Sequence, residues 1–315
     1  MARILITGAS GCIGHYIVAA LMRQTEHDLF LLVRDPAKLK VCIEDRPSVQ
    51  VVQGDMLHIE EQADLLKTID VAILTAAAWG DPQQTQAVNV TKTLALLKLL
   101  DVERCRQVIY FSTASILDKN NRLLEEAGTI GTDYIRTKYE CHRELRKLAI
   151  AAKTTVVFPT LVFGGDAQKP MSHLSAGLKD VTRWIGLIRF FSIDGSFHYI
   201  HARDIAQVIV YLVRNPMSPG SMKQMVLGNP QITVNGAIRE MCRYFGLSAP
   251  AQVPLLAFAR IIVPLFRIQM AEWDWFCLQY RHFTYDNPVN PSTFNIPPYC
   301  ETVPDLMRIH GIERR

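Results

Sequence analysis

The sequence has no Cys-x-x-Cys pair, no stripe of basic residues, no internal repeat and no unbroken apolar run long enough to span a bilayer. Each absence excludes something. Its seven cysteines (12, 42, 105, 141, 242, 277 and 300) are odd in number and widely spaced. They suit reduced thiols better than a disulfide framework, and they offer no metal-ligand spacing. Basic and acidic residues number 34 and 30 and are dispersed, which leaves no electrostatic footprint for nucleic acid. The longest apolar stretch near the C-terminus, Val253 to Ile268, is broken by Arg260, Pro264 and Arg267 and falls short of the about 20 residues a membrane span needs. The N-terminus runs straight into Arg3-Ile4-Leu5-Ile6 with no basic region or apolar leader, so the expectation is a cytoplasmic chain. What is present is ordinary globular material, 49% hydrophobic and 20% charged over 315 residues. That is enough for a sizeable core and a prior of about two domains.

The first half alternates strand-like and helix-like segments. Arg3–Thr7, Leu29–Val33, Val49–Gln53, Val71–Thr75 and Gln107–Ser112 read as strands. Segments of helical pattern, 13–23, 60–67, 83–100 and 132–152, lie between and after them. Runs such as Leu-Phe-Leu-Leu-Val are apolar at every position, as strands covered on both faces are. This rhythm predicts an α/β fold with a doubly wound parallel sheet. After Gly164-Gly165 the alternation breaks. Phe197–Ile200 and Ile205–Val213 read as a strand and helix returning to the sheet, and 166–315 otherwise reads as a smaller, mostly helical, discontinuous substrate lobe.

The strongest signal is Gly8-Ala9-Ser10-Gly11-Cys12-Ile13-Gly14, placed between a strand and a helix. A spacing of this kind arises by chance only about 0.05 times in a chain with this glycine content. The first glycine permits a tight turn, the second a close approach to a pyrophosphate, and the third close helix–strand packing. The helix N-terminus supplies unpaired N–H groups and a positive dipole. Residues 1–165, with 195–230 returning to the sheet, therefore read as a Rossmann dinucleotide-binding domain. Arg34 stands at the end of the second strand, followed by Asp35 and, one turn on, Lys38. A guanidinium there accommodates a 2′-phosphate, where an acidic residue would take a ribose hydroxyl. NADP is thus preferred over NAD, with Asp35 keeping the NAD reading open.

Tyr134 and Lys138, four apart, share one helix face. A phenol with pKa near about 10 is a poor acid–base group, and an adjacent ammonium is expected to bring it towards the working range. The preceding strand ends in Ser112-Thr113 and delivers hydroxyls to the rim where ligands of open α/β sheets bind.

Together these motifs resemble the extended branch of the short-chain dehydrogenase/reductase family, over nearly the whole chain. The glycine motif, Gly54-Asp55-Met56, Ala76-Ala77-Ala78, Asn89-Val90, Ser112-Thr113 and Tyr134-x-x-x-Lys138 match in order. Pro159-Thr160-x-x-Phe163-Gly164 and Tyr199-Ile200-His201-x-x-Asp204-Ile205-Ala206 follow. The resemblance implies that Thr7, Ser10, Cys12, Ile13 and Pro159 border the cofactor with the glycines, that Asp55 and Met56 hold its adenine, and that Ala76, Ala77 and Ala78 line it. It implies that Thr113 binds the reacting oxygen, that Tyr134 transfers the proton, and that Lys138 grips the nicotinamide ribose. Lys92, Phe158 and Phe163 depart from the family's usual Gly, Arg and Tyr. No acidic residue follows Thr113, which argues against dehydration of nucleotide sugars.

The resulting expectation is NADP(H)-dependent hydride transfer on a carbonyl/alcohol pair of an apolar or aromatic small molecule, with Trp79 on the substrate wall. The alternatives are a nucleotide-sugar epimerase with retained NAD, and a non-catalytic NADP-binding sensor or assembly factor. Relatives often form homodimers through helices matching 83–100 and 132–152. Asn89 reads either as a cofactor-side group or as a plain helix residue, and Asp204 as an N-cap or structural acceptor. His198 and His201, three apart on a strand, point to opposite sides and make no metal pair. The aromatic stretch 255–285 reads as a helical cap over the substrate site, with a membrane-interface surface as the less favoured reading.

Overall fold

The apolar runs form a seven-stranded parallel sheet in the computed structural model, which describes residues 1–43, 46–250, 252–254 and 271–314. Its strands are β1 (Arg3–Thr7), β2 (Asp28–Val33), β3 (Val49–Gln53), β4 (Val71–Leu74), β5 (Gln107–Phe111) and β6 (Thr154–Pro159). Short strands β7 (Leu161–Phe163), β8 (Phe191–Ser192), β9 (Ser196–Phe197) and β10 (Tyr199–His201) stand outside it, and β11 (Lys223–Leu227) completes it. The order β11-β6-β5-β4-β1-β2-β3 reverses between β1 and β4, so a crevice opens at the carboxyl ends of those two strands.

Side chains alternate across the sheet and feed two apolar layers. Leu5, Phe30, Leu74 and Val108 face one side, together with Leu96 and Cys141 of the helices Thr93–Leu99 and Asp133–Leu145. Ile4, Ile6, Leu31 and Ile73 face the other, against the helices Cys12–Gln24 and Ala202–Arg214. A third cluster, including Leu178, Tyr199, Ile238, Phe245 and Met307, gives the C-terminal lobe its own core.

Several sequence expectations are corrected here. β6 and β11 are sheet strands whose polar starts, Thr154-Thr155 and Lys223-Gln224, leave apolar runs too short to stand out. The strand returning to the sheet is β11; β10 instead pairs with β7. The expected helix 83–100 is three pieces, Pro82–Gln86, a π-helical turn Ala87–Lys92 and Thr93–Leu99. The aromatic region is also placed differently. Residues 255–270 lie outside the described ones. Trp273 is buried, and Phe276, Tyr280 and Tyr285 pack with it on the first apolar layer beside Leu123 and Leu124, so they cap the sheet domain and do not line the crevice.

Buried histidines give the fold a pH dependence. Burial, with Arg146 adding to it, pushes His142 down to about 4. Burial likewise pushes His201 down to about 3, with His310 and Arg203 adding to it. These groups fold neutral, so their stabilisation is present above their unfolded pKa and is lost as pH falls towards the folded values. Asp204 works the other way: burial raises it to about 6, so the folded chain takes up a proton there before the unfolded chain does, and this adds stability as pH falls below about 6. The histidines outnumber it. Stability is expected to fall by roughly 1–2 kcal/mol per pH unit around pH 5. Calorimetry between pH 7 and pH 4 checks this, and an unchanged melting temperature would contradict it.

Candidate active site

The glycine loop is built by close backbone contact. Gly8 has φ +70°, and a Cβ there would lie 2.7 Å from the Ala76 nitrogen. A Cβ on Gly14 would lie 2.2 Å from the Gly8 carbonyl oxygen. Gly11 donates its N–H to the Gly8 carbonyl (3.0 Å) and caps the helix Cys12–Gln24 without a side-chain acceptor. The N–H groups of the first helical turn therefore lack intrahelical partners and border the crevice, an arrangement that suits an anion. His15, which sequence reasoning passed over, is fully buried behind this loop. Its Nδ1 lies 2.9 Å from the Gly11 carbonyl, and its Nε2 accepts the Lys40 N–H at 3.0 Å. It is thus the Nδ1–H tautomer, tying the glycine loop to the segment that follows β2. A lone histidine inside an apolar helix carries no sequence signal for that task.

The crevice opens into a cleft of about 970 Å³. Gly8, Ser10, Gly11, Cys12, Ile13 and Gly14 line one end with Arg34, Asp55 and Met56. Ala76, Ala77, Ala78, Trp79 and Pro159 continue the lining to Thr113, Tyr134 and Lys138. Two expected residues are not among the lining. Lys38 sits in the exposed turn Pro36–Lys38, and Thr7 is buried beneath, its hydroxyl accepting the Ala76 N–H at 3.3 Å. Asp35 uses its carboxylate locally, accepting the Ala37 N–H at 3.0 Å. Asp55 does the same for Leu57 at 2.9 Å while still bordering the cleft. Thr75, Ser112 and Ser115 also line it. The Ser112 hydroxyl is buried and has no hydrogen-bond partner among the described residues.

The helix Asp133–Leu145, capped by Thr132, brings Tyr134 and Lys138 to the same wall. Lys138 is only 2% exposed and is held by two groups of β5: its Nζ donates to the Phe111 carbonyl at 2.8 Å and lies 3.5 Å from the Tyr110 hydroxyl. Burial pushes its ammonium down to about 8. Its Nζ is 5.9 Å from the centre of the Tyr134 ring. Burial pushes the Tyr134 phenol up, opposite to the expectation that the ammonium would lower it, because desolvation acts on the phenol while the Lys138 ammonium is turned to the Phe111 carbonyl. Trp79 stacks on Tyr134 at 3.7 Å between ring centres, 14° from parallel. The indole is nonetheless 57% exposed, and its loop is fixed from behind by Asn89. That side chain, buried in the π-helical turn, accepts the Ala78 N–H at 2.8 Å and donates to the Ala78 carbonyl and the Thr137 hydroxyl. Asn89 therefore positions the loop. The Thr113 hydroxyl accepts the Ser115 N–H at 3.3 Å.

The remaining candidates fall away from the cleft. Asp204, fully buried, accepts the N–H groups of Tyr299 (2.6 Å) and Cys300 (3.0 Å) and pins the C-terminal segment, while His201 is the N-cap of that helix. His198 contacts the Asn229 carbonyl and the Tyr285 N–H. No cluster of three metal-ligating side chains occurs among the described residues.

Comparisons with known proteins agree with this fold. The chain aligns at 18% identity with the crystal structure of the protein gox2253, with all of both chains covered and a TM-score of 0.72. It also aligns at 14% identity with dTDP-glucose 4,6-dehydratase from Bacillus anthracis str. Ames in complex with NAD, covering 99% and 97% of the two chains with a TM-score of 0.64. With UDP-glucose 4-epimerase from Stenotrophomonas maltophila, bound to NAD and formylated UDP-arabinopyranose, the identity is 19%, coverage 81% and 86%, and TM-score 0.59. At these identities the likeness is one of fold. No curated protein sequence matches the chain. The NAD dependent epimerase/dehydratase family profile matches residues 4–228, a span running from the first strand through the glycine loop and the Tyr134–Lys138 helix to the last strand of the sheet. The chain therefore belongs to that family, within the extended branch of the short-chain dehydrogenases/reductases.

Proposed function

We propose that the protein is an NADP(H)-dependent oxidoreductase that interconverts a carbonyl and an alcohol on an apolar or aromatic small molecule. The observation that carries this reading is one cleft lined at one end by the uncapped helix N-terminus and Arg34 and further along by the Thr113–Tyr134–Lys138 set. The residues fit a dinucleotide: Gly14 leaves no room for a Cβ, the N–H groups at the helix start have no internal acceptor, and Ser112 presents an unpaired hydroxyl. Arg34 would meet a 2′-phosphate, and Lys138 would grip the nicotinamide ribose. When bound, the cofactor supplies or accepts the hydride. Tyr134 exchanges the proton with the substrate oxygen, which Thr113 orients. Trp79, Leu161, Met171 and Leu174 make the outer wall apolar, which is what favours an apolar or aromatic substrate.

Arg34 lines the cleft and Asp35 does not, which supports NADP over NAD. Oxidation of NADPH across a panel of aromatic and alicyclic carbonyls, followed by absorbance, tests the activity. No turnover with any of them would set the reading aside. For the cofactor, Arg34→Ala is expected to weaken NADPH binding by roughly 10–100-fold, the loss of a charge-assisted phosphate contact. NADH binding should stay within about threefold, because the contact exists only for the phosphate. Fluorescence titration with both nucleotides checks this, and equal losses for the two would refute the assignment of Arg34.

A further inference from the structure

The apolar wall of the cleft does not stop at its mouth. Met171 and Leu174 line the cleft and are also exposed. They lead into the helix His173–Arg183, whose Leu178 and Thr182 take the buried face. Leu174 and Val181, seven apart, form a second, exposed stripe on that helix, with Val181 at 43%. The stripe continues through Trp184 (58% exposed) and Leu187 (55%) to Phe190. Six large apolar side chains in succession on a surface mark an interaction site, where scattered ones would mark nothing.

Charge identifies the partner. Between Met171 and Ile193 the chain carries three basic residues, Lys179, Arg183 and Arg189, against one acidic residue, Asp180. Lys179 and Arg183 are exposed on the same helix as the stripe. A second copy of this chain is a poor occupant, because a two-fold contact would set the same cationic patch against itself. An apolar stripe with Trp at its edge and a cationic surround instead suits the boundary of an anionic bilayer.

We propose that the face running from Met171 to Phe190 docks on an anionic lipid surface. Trp184 and Leu187 enter the interface, and Lys179, Arg183 and Arg189 meet the headgroups. The cleft mouth then opens at the lipid boundary. This goes beyond the reading of the cleft as an oxidoreductase site and stands or falls independently of it.

Flotation of the purified full chain with two kinds of vesicle tests the proposal, phosphatidylcholine alone and phosphatidylcholine mixed with phosphatidylserine. The protein is expected to float with the mixed vesicles, to float less with phosphatidylcholine alone, and to detach as salt is raised. Joint replacement Trp184→Glu and Leu187→Glu should lower the partition coefficient by roughly tenfold or more, since both side chains would be lost from the interface. Both are exposed, so the melting temperature should hold, and a folded variant that has lost vesicle binding supports the proposal. Lys179→Glu with Arg183→Glu should remove the preference for phosphatidylserine without touching the apolar stripe. Wild-type protein that stays with neither vesicle overturns the proposal, as does a double-Glu variant that floats as well as wild type. Sedimentation velocity showing a wild-type dimer that the double-Glu variant converts to monomer would assign the face to a second copy and would also overturn it.

Discussion

Tyr134→Phe is expected to lower turnover by roughly 10²–10⁴-fold while leaving nucleotide affinity nearly unchanged. The expectation rests on placement. The phenol lines the same cleft as Thr113 and the glycine loop, and the substitution removes one oxygen while keeping the ring stacked against Trp79. Because burial holds the phenol above its ordinary value, Tyr134 stays protonated through neutral pH and is set up as a proton donor. Reduction of a carbonyl should accordingly be flat with pH across the neutral range. Alcohol oxidation requires the phenolate and should rise with pH. The decline of reduction at higher pH belongs to Lys138, whose charge is lost as pH passes about 8. Rate against pH in both directions, for wild type and Tyr134→Phe, measures all of this. Full turnover in the variant would remove Tyr134 from the chemistry, and a neutral-range maximum for alcohol oxidation would contradict the proton-donor assignment.

The parts of this site legible in the sequence are those set by backbone constraint. Glycines at 8 and 14 can be read because a Cβ there would collide with backbone, and Gly11 because its spacing completes the motif, while the Tyr134–Lys138 spacing can be read because helix geometry alone puts the two on one face. The apolar strands β1, β2, β4 and β5 are legible because burial on both faces keeps their central positions apolar. What could not be read depends on contacts between distant segments. Nothing local marks His15 as the tether between the glycine loop and Lys40, or Asn89 as the clamp on the Trp79 loop, since each acts through one side chain on a remote backbone group. The direction of the Tyr134 shift is not legible, because spacing shows only that a lysine is near, whereas the Phe111 carbonyl decides where its ammonium points. The aromatic residues 273–285 read as a cap over the cleft because their composition fits any apolar surface. Which surface they meet is settled by tertiary packing beside Leu123 and Leu124.

The second large effect is expected from one methyl group. Gly14→Ala places a Cβ 2.2 Å from the Gly8 carbonyl oxygen, 2.8 Å from the Ala9 Cα and 2.9 Å from the Gly8 carbonyl carbon. All three are backbone atoms, so no side chain can swing aside, and the helix Cys12–Gln24 must move off β1. Overpacking of this kind costs about 1–3 kcal/mol, or more where backbone has to shift. The same displacement withdraws the N–H groups of the first helical turn from the position where a pyrophosphate would sit. Gly14→Ala should therefore lower the melting temperature by several degrees and reduce nucleotide affinity by roughly 100-fold or more. Gly11→Ala separates the two effects. Its Cβ would stand 3.3 Å from the Gly8 carbonyl oxygen, a tight contact that small adjustments absorb. The new methyl would border the cleft. That variant should keep the wild-type melting temperature to within about two degrees and still lose nucleotide affinity, because the backbone approach needed by the phosphates is obstructed. Thermal melts and nucleotide titrations on the two variants decide the matter. If Gly14→Ala melts and binds like wild type, the third glycine is not a packing contact. If Gly11→Ala binds nucleotide normally, the loop does not hold the phosphates.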